Sequence, residues 1–160
     1  MGAVLRRATC ALFVALALVP AASARVADGS GLGFLWPADG IVSSPFGPRA
    51  GGFHPGIDIG SLQGLAVRAA ASGRVAATGA LMGYEGYGFV VVIDIGGGMT
   101  TLYAHLARAL ARPGALVARG DTIGIAGCTG WCIGTHLHFE LREHGRAIDP
   151  MSLFGLGYAG

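Results

Sequence analysis

Apolar residues recur at every second position through Gly134-Thr135-His136-Leu137-His138-Phe139-Glu140-Leu141, with Leu137, Phe139 and Leu141 in one phase and His136, His138 and Glu140 in the other. That is the period of a half-buried β-strand. Short β-branched or alternating runs at residues 65–70, 73–78, 88–95, 100–106, 115–117 and 121–126 predict further strands. Turn residues separate them, Pro113-Gly114 and Arg119-Gly120-Asp121 among them, and Asp149-Pro150 closes the series. Residues 41–49 read as a short strand entering a proline-punctuated loop. No stretch carries an amphipathic helical pattern with caps. The fold class expected is all-β, a compact antiparallel sheet or sandwich-like domain, and the 29 glycines suit its many turns.

The same periodicity groups polar side chains. Around Phe53-His54-Pro55-Gly56-Ile57-Asp58-Ile59, Pro55 and Gly56 argue against a helix. In an extended segment residues 54, 56 and 58 share a face, Ile57 and Ile59 turn inward, and Gly56 leaves open space between an imidazole and a carboxylate. Strict alternation through Thr100-Thr101-Leu102-Tyr103-Ala104-His105-Leu106 puts Thr101, Tyr103 and His105 on one face. Of five histidines, four fall in these three motifs, and the fifth, His144, lies in a turn where a solvated role suffices.

The first two dozen residues do not belong to this pattern. Arg6-Arg7, an apolar run from Ala8 to Val19, Pro20 and the small-x-small site Ala22-Ser23-Ala24 read as a secretory signal peptide over residues 1–24. Residues 25–35 are expected to be a short flexible lead-in, 36–154 the domain, and 155–160 a tail. The protein is therefore expected to be exported, to the periplasm or the cell exterior, with no membrane attachment after cleavage. Two of the 11 basic residues leave with the leader, so the nine that remain balance nine acidic ones, and no lysine is present. That balance excludes the basic patch of a nucleic-acid binder.

A hydrolytic zinc site needs three imidazole or carboxylate ligands and an open fourth position. His54, Asp58 and one histidine of the 136/138 pair meet that requirement. Side chains two apart on a strand stand roughly 6.5–7 Å apart, so one imidazole of the pair can bind a metal while the other reaches a ligand on it. The spare histidines, His105 and His136, are the candidates for moving a proton between water and a leaving amine. His-Glu-x-x-His is absent, so no helical glutamate base is available.

Trp36-Pro37, Ser44-Pro45-Phe46-Gly47-Pro48-Arg49, Phe53-His54-Pro55-Gly56-Ile57-Asp58, Gly86-Tyr87-Gly88, Thr101-Leu102-Tyr103-Ala104-His105-Leu106, Gly120-Asp121-Thr122-Ile123-Gly124 and His136-Leu137-His138-Phe139-Glu140 occur in that order. Over nearly the whole expected mature chain they resemble the LytM/lysostaphin-type zinc metallopeptidases. The resemblance implies a duplicated hybrid motif fold with its site in a groove. It implies His54, Asp58 and His138 as ligands of one zinc ion, His105 and His136 as the catalytic pair, and cleavage of stem-peptide cross-links in bacterial peptidoglycan. The alternative function is a non-catalytic module of the same fold that binds peptidoglycan or activates a separate wall hydrolase. An envelope regulator or targeting protein is a further possible partner. Phe89, Thr135 and Ile95 stand where the family commonly has Asn, Pro and His, and these departures bear on substrate preference.

Cys128 and Cys132 flank Thr129-Gly130-Trp131 just before the metal strand. In an exported protein a nearby pair is expected to form a disulfide. Closing so short a loop contributes only about 2 kcal/mol through chain entropy, so its expected effect is to fix the loop beside the groove. A Cys128/Cys132/His136/His138 zinc site leaves too few residues between its halves to wrap a tetrahedron. A cysteine nucleophile paired with His136 would leave His54 and Asp58 without a role.

Overall fold

A computed structural model describes residues 33–154. The leader over residues 1–24, most of the lead-in and the tail over residues 155–160 lie outside the described residues. Within them are twelve strands: β1 (Ile41–Ser44), β2 (Gly47–Arg49), β3 (Gly52–His54), β4 (Ile57–Gly60), β5 (Ala66–Arg68), β6 (Gly73–Ala80), β7 (Phe89–Gly96), β8 (Met99–Ala109), β9 (Leu116–Val117), β10 (Thr122–Ala126), β11 (Leu137–Glu143) and β12 (Arg146–Ile148). The only helical pieces among the described residues are 3₁₀ turns at Glu85–Tyr87 and Pro150–Leu153. The class is all-β and every pairing is antiparallel.

The large sheet runs β1-β4-β11-β8-β7-β6-β9, with β12 on β11 and β10 bridging β5 and β8, while β2 and β3 form a separate hairpin. Leu137, Phe139, Ile57, Ile59, Tyr103, Val91, Ile93 and Leu106 are all fully buried in the main core. Side chains of this size each contribute roughly 1.5–3 kcal/mol when buried, so this face of β4, β11, β8 and β7 fixes the register of the whole sheet. Of the lead-in, Phe34 packs against this core and Leu35 N–H donates to Ala70 O at 2.8 Å. The chain is engaged from residue 34 onward.

Two expectations are corrected. The strand expected over 134–141 begins at Leu137, and His136 precedes it in an isolated bridge with Gly127. It is also not half-buried: His138 and Glu140, on the face opposite Phe139, are 5% and 0% exposed. The second correction concerns β8. Tyr103 packs on Phe139 in the main core at a ring separation of 5.2 Å, whereas His105 faces away from that core into the groove, so the two do not share a face. Between the pairs Phe89↔Leu106 and Val91↔Tyr103, three steps of β8 are matched by two of β7. The extra residue is a β-bulge, and His105 sits in it with φ +57°. Tyr103 and Leu106, three apart, are consequently both in the main core.

Candidate metal centre

Strand register places the first two ligand candidates. Asp58 of β4 and His138 of β11 are direct cross-strand partners, and adjacent strands bring opposite side chains within about 5 Å. His54 ends β3, pinned opposite Gly47 by the hairpin. The three donor atoms converge: His138 Nδ1 lies 2.9 Å from Asp58 Oδ1, His54 Nε2 3.2 Å from the same oxygen, and the two nitrogens are 3.1 Å apart. Gly56 does not leave open space here. A Cβ there would meet Phe139 O at 2.4 Å, Glu140 Cγ at 2.8 Å and His138 Cε1 at 3.1 Å. The glycine is required by close packing against β11.

The outer ring nitrogens settle the tautomers. His54 Nδ1–H donates to Pro45 O at 2.7 Å, and His138 Nε2–H donates to Glu140 Oε1 at 2.9 Å. Neutral rings bonded this way aim lone pairs at each other and at an anionic oxygen, with no hydrogen between them. Only a cation, either a proton or a metal, satisfies that arrangement. Burial by itself depresses the His138 pKa, but the hydrogen bonds to Asp58 and Glu140 outweigh it and the net shift is upward. Burial likewise raises Asp58, but the His138 hydrogen bond and the His138, His54 and His136 charges bring it below its ordinary value. The donor set of two nitrogens and one carboxylate oxygen fits zinc.

Glu140 is pointed at the groove face by alternation along β11, which assigns it no role. It is fully buried and accepts from His138, from Tyr87 O–H at 2.7 Å and from Arg142 Nε. Burial raises its pKa, but those three donors more than compensate and hold it ionised. An outer carboxylate of this kind fixes the orientation and basicity of a metal-binding imidazole. Its phase on β11 was visible; its partners, Tyr87 in a 3₁₀ turn and Arg142 two residues on, were not.

His105 and His136 border the same groove, with ring centroids 4.7 Å apart. His105 Nδ1–H donates to Thr129 O at 2.8 Å and His136 Nδ1–H to Gly134 O at 2.7 Å, so each presents Nε2 as its free nitrogen. His136 Nε2 is 3.7 Å from Asp58 Oδ1. Burial depresses the His105 pKa; the Thr129 bond opposes this, the neighbouring His136 and His138 reinforce it, and the net shift is downward. That shift favours the neutral imidazole, and the Thr129 bond leaves its lone pair on Nε2. The groove, of about 890 Å³, is walled by Phe53 and Arg49 on the β2–β3 hairpin and by Tyr84, Tyr87, Trp131 and Ile133 opposite. Cys128 and Cys132 are bonded to each other, closing a five-residue loop on its rim.

Comparison with known proteins adds four findings. A sequence profile described as peptidase family M23 matches residues 52–150. The chain is 40% identical over 118 residues to the DD-carboxypeptidase/endopeptidase Mpg of Neisseria meningitidis, covering 70% of this chain and 26% of that protein. It is 38% identical over 116 residues to the murein hydrolase activator NlpD of Salmonella dublin, covering 72% and 30%. A crystal structure of a putative peptidase M23 from Pseudomonas aeruginosa superposes with a TM-score of 0.69 at 33% identity, over 79% of this chain and 52% of that one. The chain thus spans between a quarter and a third of the length of these two curated relatives.

Proposed function

The chain belongs to peptidase family M23, and from that premise we propose that it is a zinc-dependent endopeptidase hydrolysing peptide cross-links of bacterial peptidoglycan. The observation that carries this reading is the paired geometry: three lone-pair donors converging within 3.2 Å, and two more imidazoles presenting free Nε2 atoms to the same groove. A binding module has no need of two histidines held in that tautomer beside a cluster of three donors.

His54 Nε2, Asp58 Oδ1 and His138 Nδ1 would hold the ion. When bound, zinc supplies Lewis-acid polarisation of a carbonyl and acidifies water. His105 Nε2 takes the proton of the water that attacks the scissile carbonyl, a role suited to an imidazole kept neutral by burial. His136, whose ring centroid lies 4.7 Å from that of His105, takes up a proton on Nε2 and presents it to the developing oxyanion or passes it to the departing amine. Phe53, Trp131 and Ile133 line the groove as exposed apolar side chains, a surface on which a bound peptide would be covered.

A second reading is favoured by the relative named a murein hydrolase activator: this chain engages the wall and switches on another hydrolase. The exported form, zinc-loaded, is incubated alone with purified sacculi, beside a chelator-treated sample. Release of soluble muropeptides that zinc restores is the expected result. Intact sacculi with zinc bound stoichiometrically would transfer the assignment to the activator reading.

A further inference from the structure

We propose that the Cys128–Cys132 disulfide is a positioning element for His105, holding the loop whose Thr129 carbonyl fixes the tautomer of that histidine; the proposal rests on the peptidase reading for its kinetic consequence only. His105 lies in a β-bulge with φ +57°. A non-glycine residue persists in that conformation where the surroundings over-determine it. Its polar anchor is Thr129 O, at 2.8 Å from Nδ1.

Thr129 is the residue next to Cys128 inside the loop, and the loop meets the rest of the fold through Thr129, Gly130 and Trp131. Thr129 Oγ1 donates to Leu106 O at 2.8 Å and accepts from Phe89 N–H at 2.9 Å. Gly130 is wedged against the 85–88 turn: a Cβ on it would meet Gly88 N at 2.4 Å and Gly86 O at 2.6 Å. Trp131 N–H donates to Gly86 O at 2.9 Å, and its ring lies over Gly86. Beyond Trp131 the backbone turns outward. Ile133 and Gly134 are exposed, and neither makes a backbone bond to the sheet before His136 N–H reaches Gly127 O at 3.2 Å.

The covalent link ties Cys132 back to Cys128, beside the Gly127–His136 bridge that closes the same segment. Cys132 Sγ, bonded to Cys128, lies 3.7 Å from His136 Nδ1. Opening the link frees the 132–135 segment to pull Trp131 and Gly130 off the turn, and Thr129 O moves with them. His105 then loses the acceptor that keeps its proton on Nδ1, and Nε2 ceases to be a fixed lone pair. The metal donors are untouched, because they sit on β3, β4 and β11.

The test compares the zinc-loaded, oxidised chain with the same chain after a phosphine reductant and with Cys128→Ser/Cys132→Ser. In the reduction, the phosphine is oxidised to its oxide with oxygen from water, and the disulfide takes up two electrons and two protons to give two thiols. Histidine ¹⁵N NMR is expected to show His105 wholly as the Nδ1–H tautomer when oxidised and as a mixture in both opened forms, with zinc stoichiometry unchanged. On a soluble cross-linked muropeptide dimer, kcat is expected to fall about tenfold to a hundredfold, as for a misplaced catalytic group, while KM stays within about twofold. One His105 tautomer across all three forms would overturn the proposal, and a kcat that fell without a change of tautomer would assign the loss to His136, whose clip, Gly134 O, lies in the freed segment. Should no form cleave while the tautomer still changes, the positioning role stands and the peptidase reading fails. Reduction of protein already folded keeps the test open even if the double variant does not fold.

Discussion

The two halves of the groove reach the same space by opposite routes. Asp58 and His138 face each other because β4 and β11 pair in a register that buries Ile57, Ile59, Leu137 and Phe139 on the far face. His105 and His136 arrive by departures from regular structure, one in a bulge and the other in a bridge ahead of β11. Ligand candidates set by register inherit the stability of the core. Histidines set by irregularities depend on local clips, namely Thr129 O for one and Gly134 O for the other.

This contrast predicts two distinct failures. Asp58→Ala or His138→Ala removes a donor and leaves its buried partners facing one another, so both the metal and the cleavage activity are expected to be lost. Affinity should fall by more than the roughly 10–100-fold cost of losing an outer-shell partner, as read by zinc titration. His105→Ala should retain one zinc per chain while its cleavage rate drops by about 10²–10⁴-fold, the range for a general acid–base group. Loss of zinc from the His105 variant would show that the two halves are not separable.

Legibility followed the same division. Alternation in Leu137, Phe139 and Leu141, and in Ile57 and Ile59, correctly separated core from groove, because burial on one face leaves no freedom in phase. The phase of His138 and Asp58 came with it. Alternation failed at His105 because one extra residue in β8 inverts the phase of everything after it, and nothing in Tyr103-Ala104-His105 announces the bulge. Gly56 differs from expectation for a related reason: the place of its missing Cβ is taken by Phe139 and its neighbours on β11, far away in sequence, and sequence spacing carries no record of that approach.

Glu140 offers a finer separation within the metal half. It touches no substrate-facing atom but holds His138 Nε2–H, Tyr87 O–H and Arg142 Nε together beneath the cluster. Glu140→Gln keeps the shape and removes the charge. The expected outcome is zinc affinity weaker by roughly 10–100-fold, with a turnover rate near that of the parent once zinc is saturating. A turnover loss at saturating zinc would place Glu140 with the catalytic half instead.

The smallest predicted effect, and the one that reads both halves in a single titration, is in pH. His138 has its pKa raised by Asp58 and Glu140. In the metal-free protein zinc must displace the proton that His138 carries, so zinc affinity should begin to fall as pH drops through a value above 6.5, the ordinary imidazole value. His105 is shifted the other way, mainly by burial. A base acts in its unprotonated form, so at saturating zinc the acid limb of kcat/KM, which reports the free enzyme, should lie below 6.5. A cation held by the cluster would repel a proton on His105 and move that limb in the same direction. The two transitions are therefore expected on opposite sides of 6.5, with metal binding lost first on acidification. If both coincide, the metal-linked proton and the catalytic proton belong to one coupled unit, and the separation of the groove into a register-built half and a loop-built half does not extend to its chemistry.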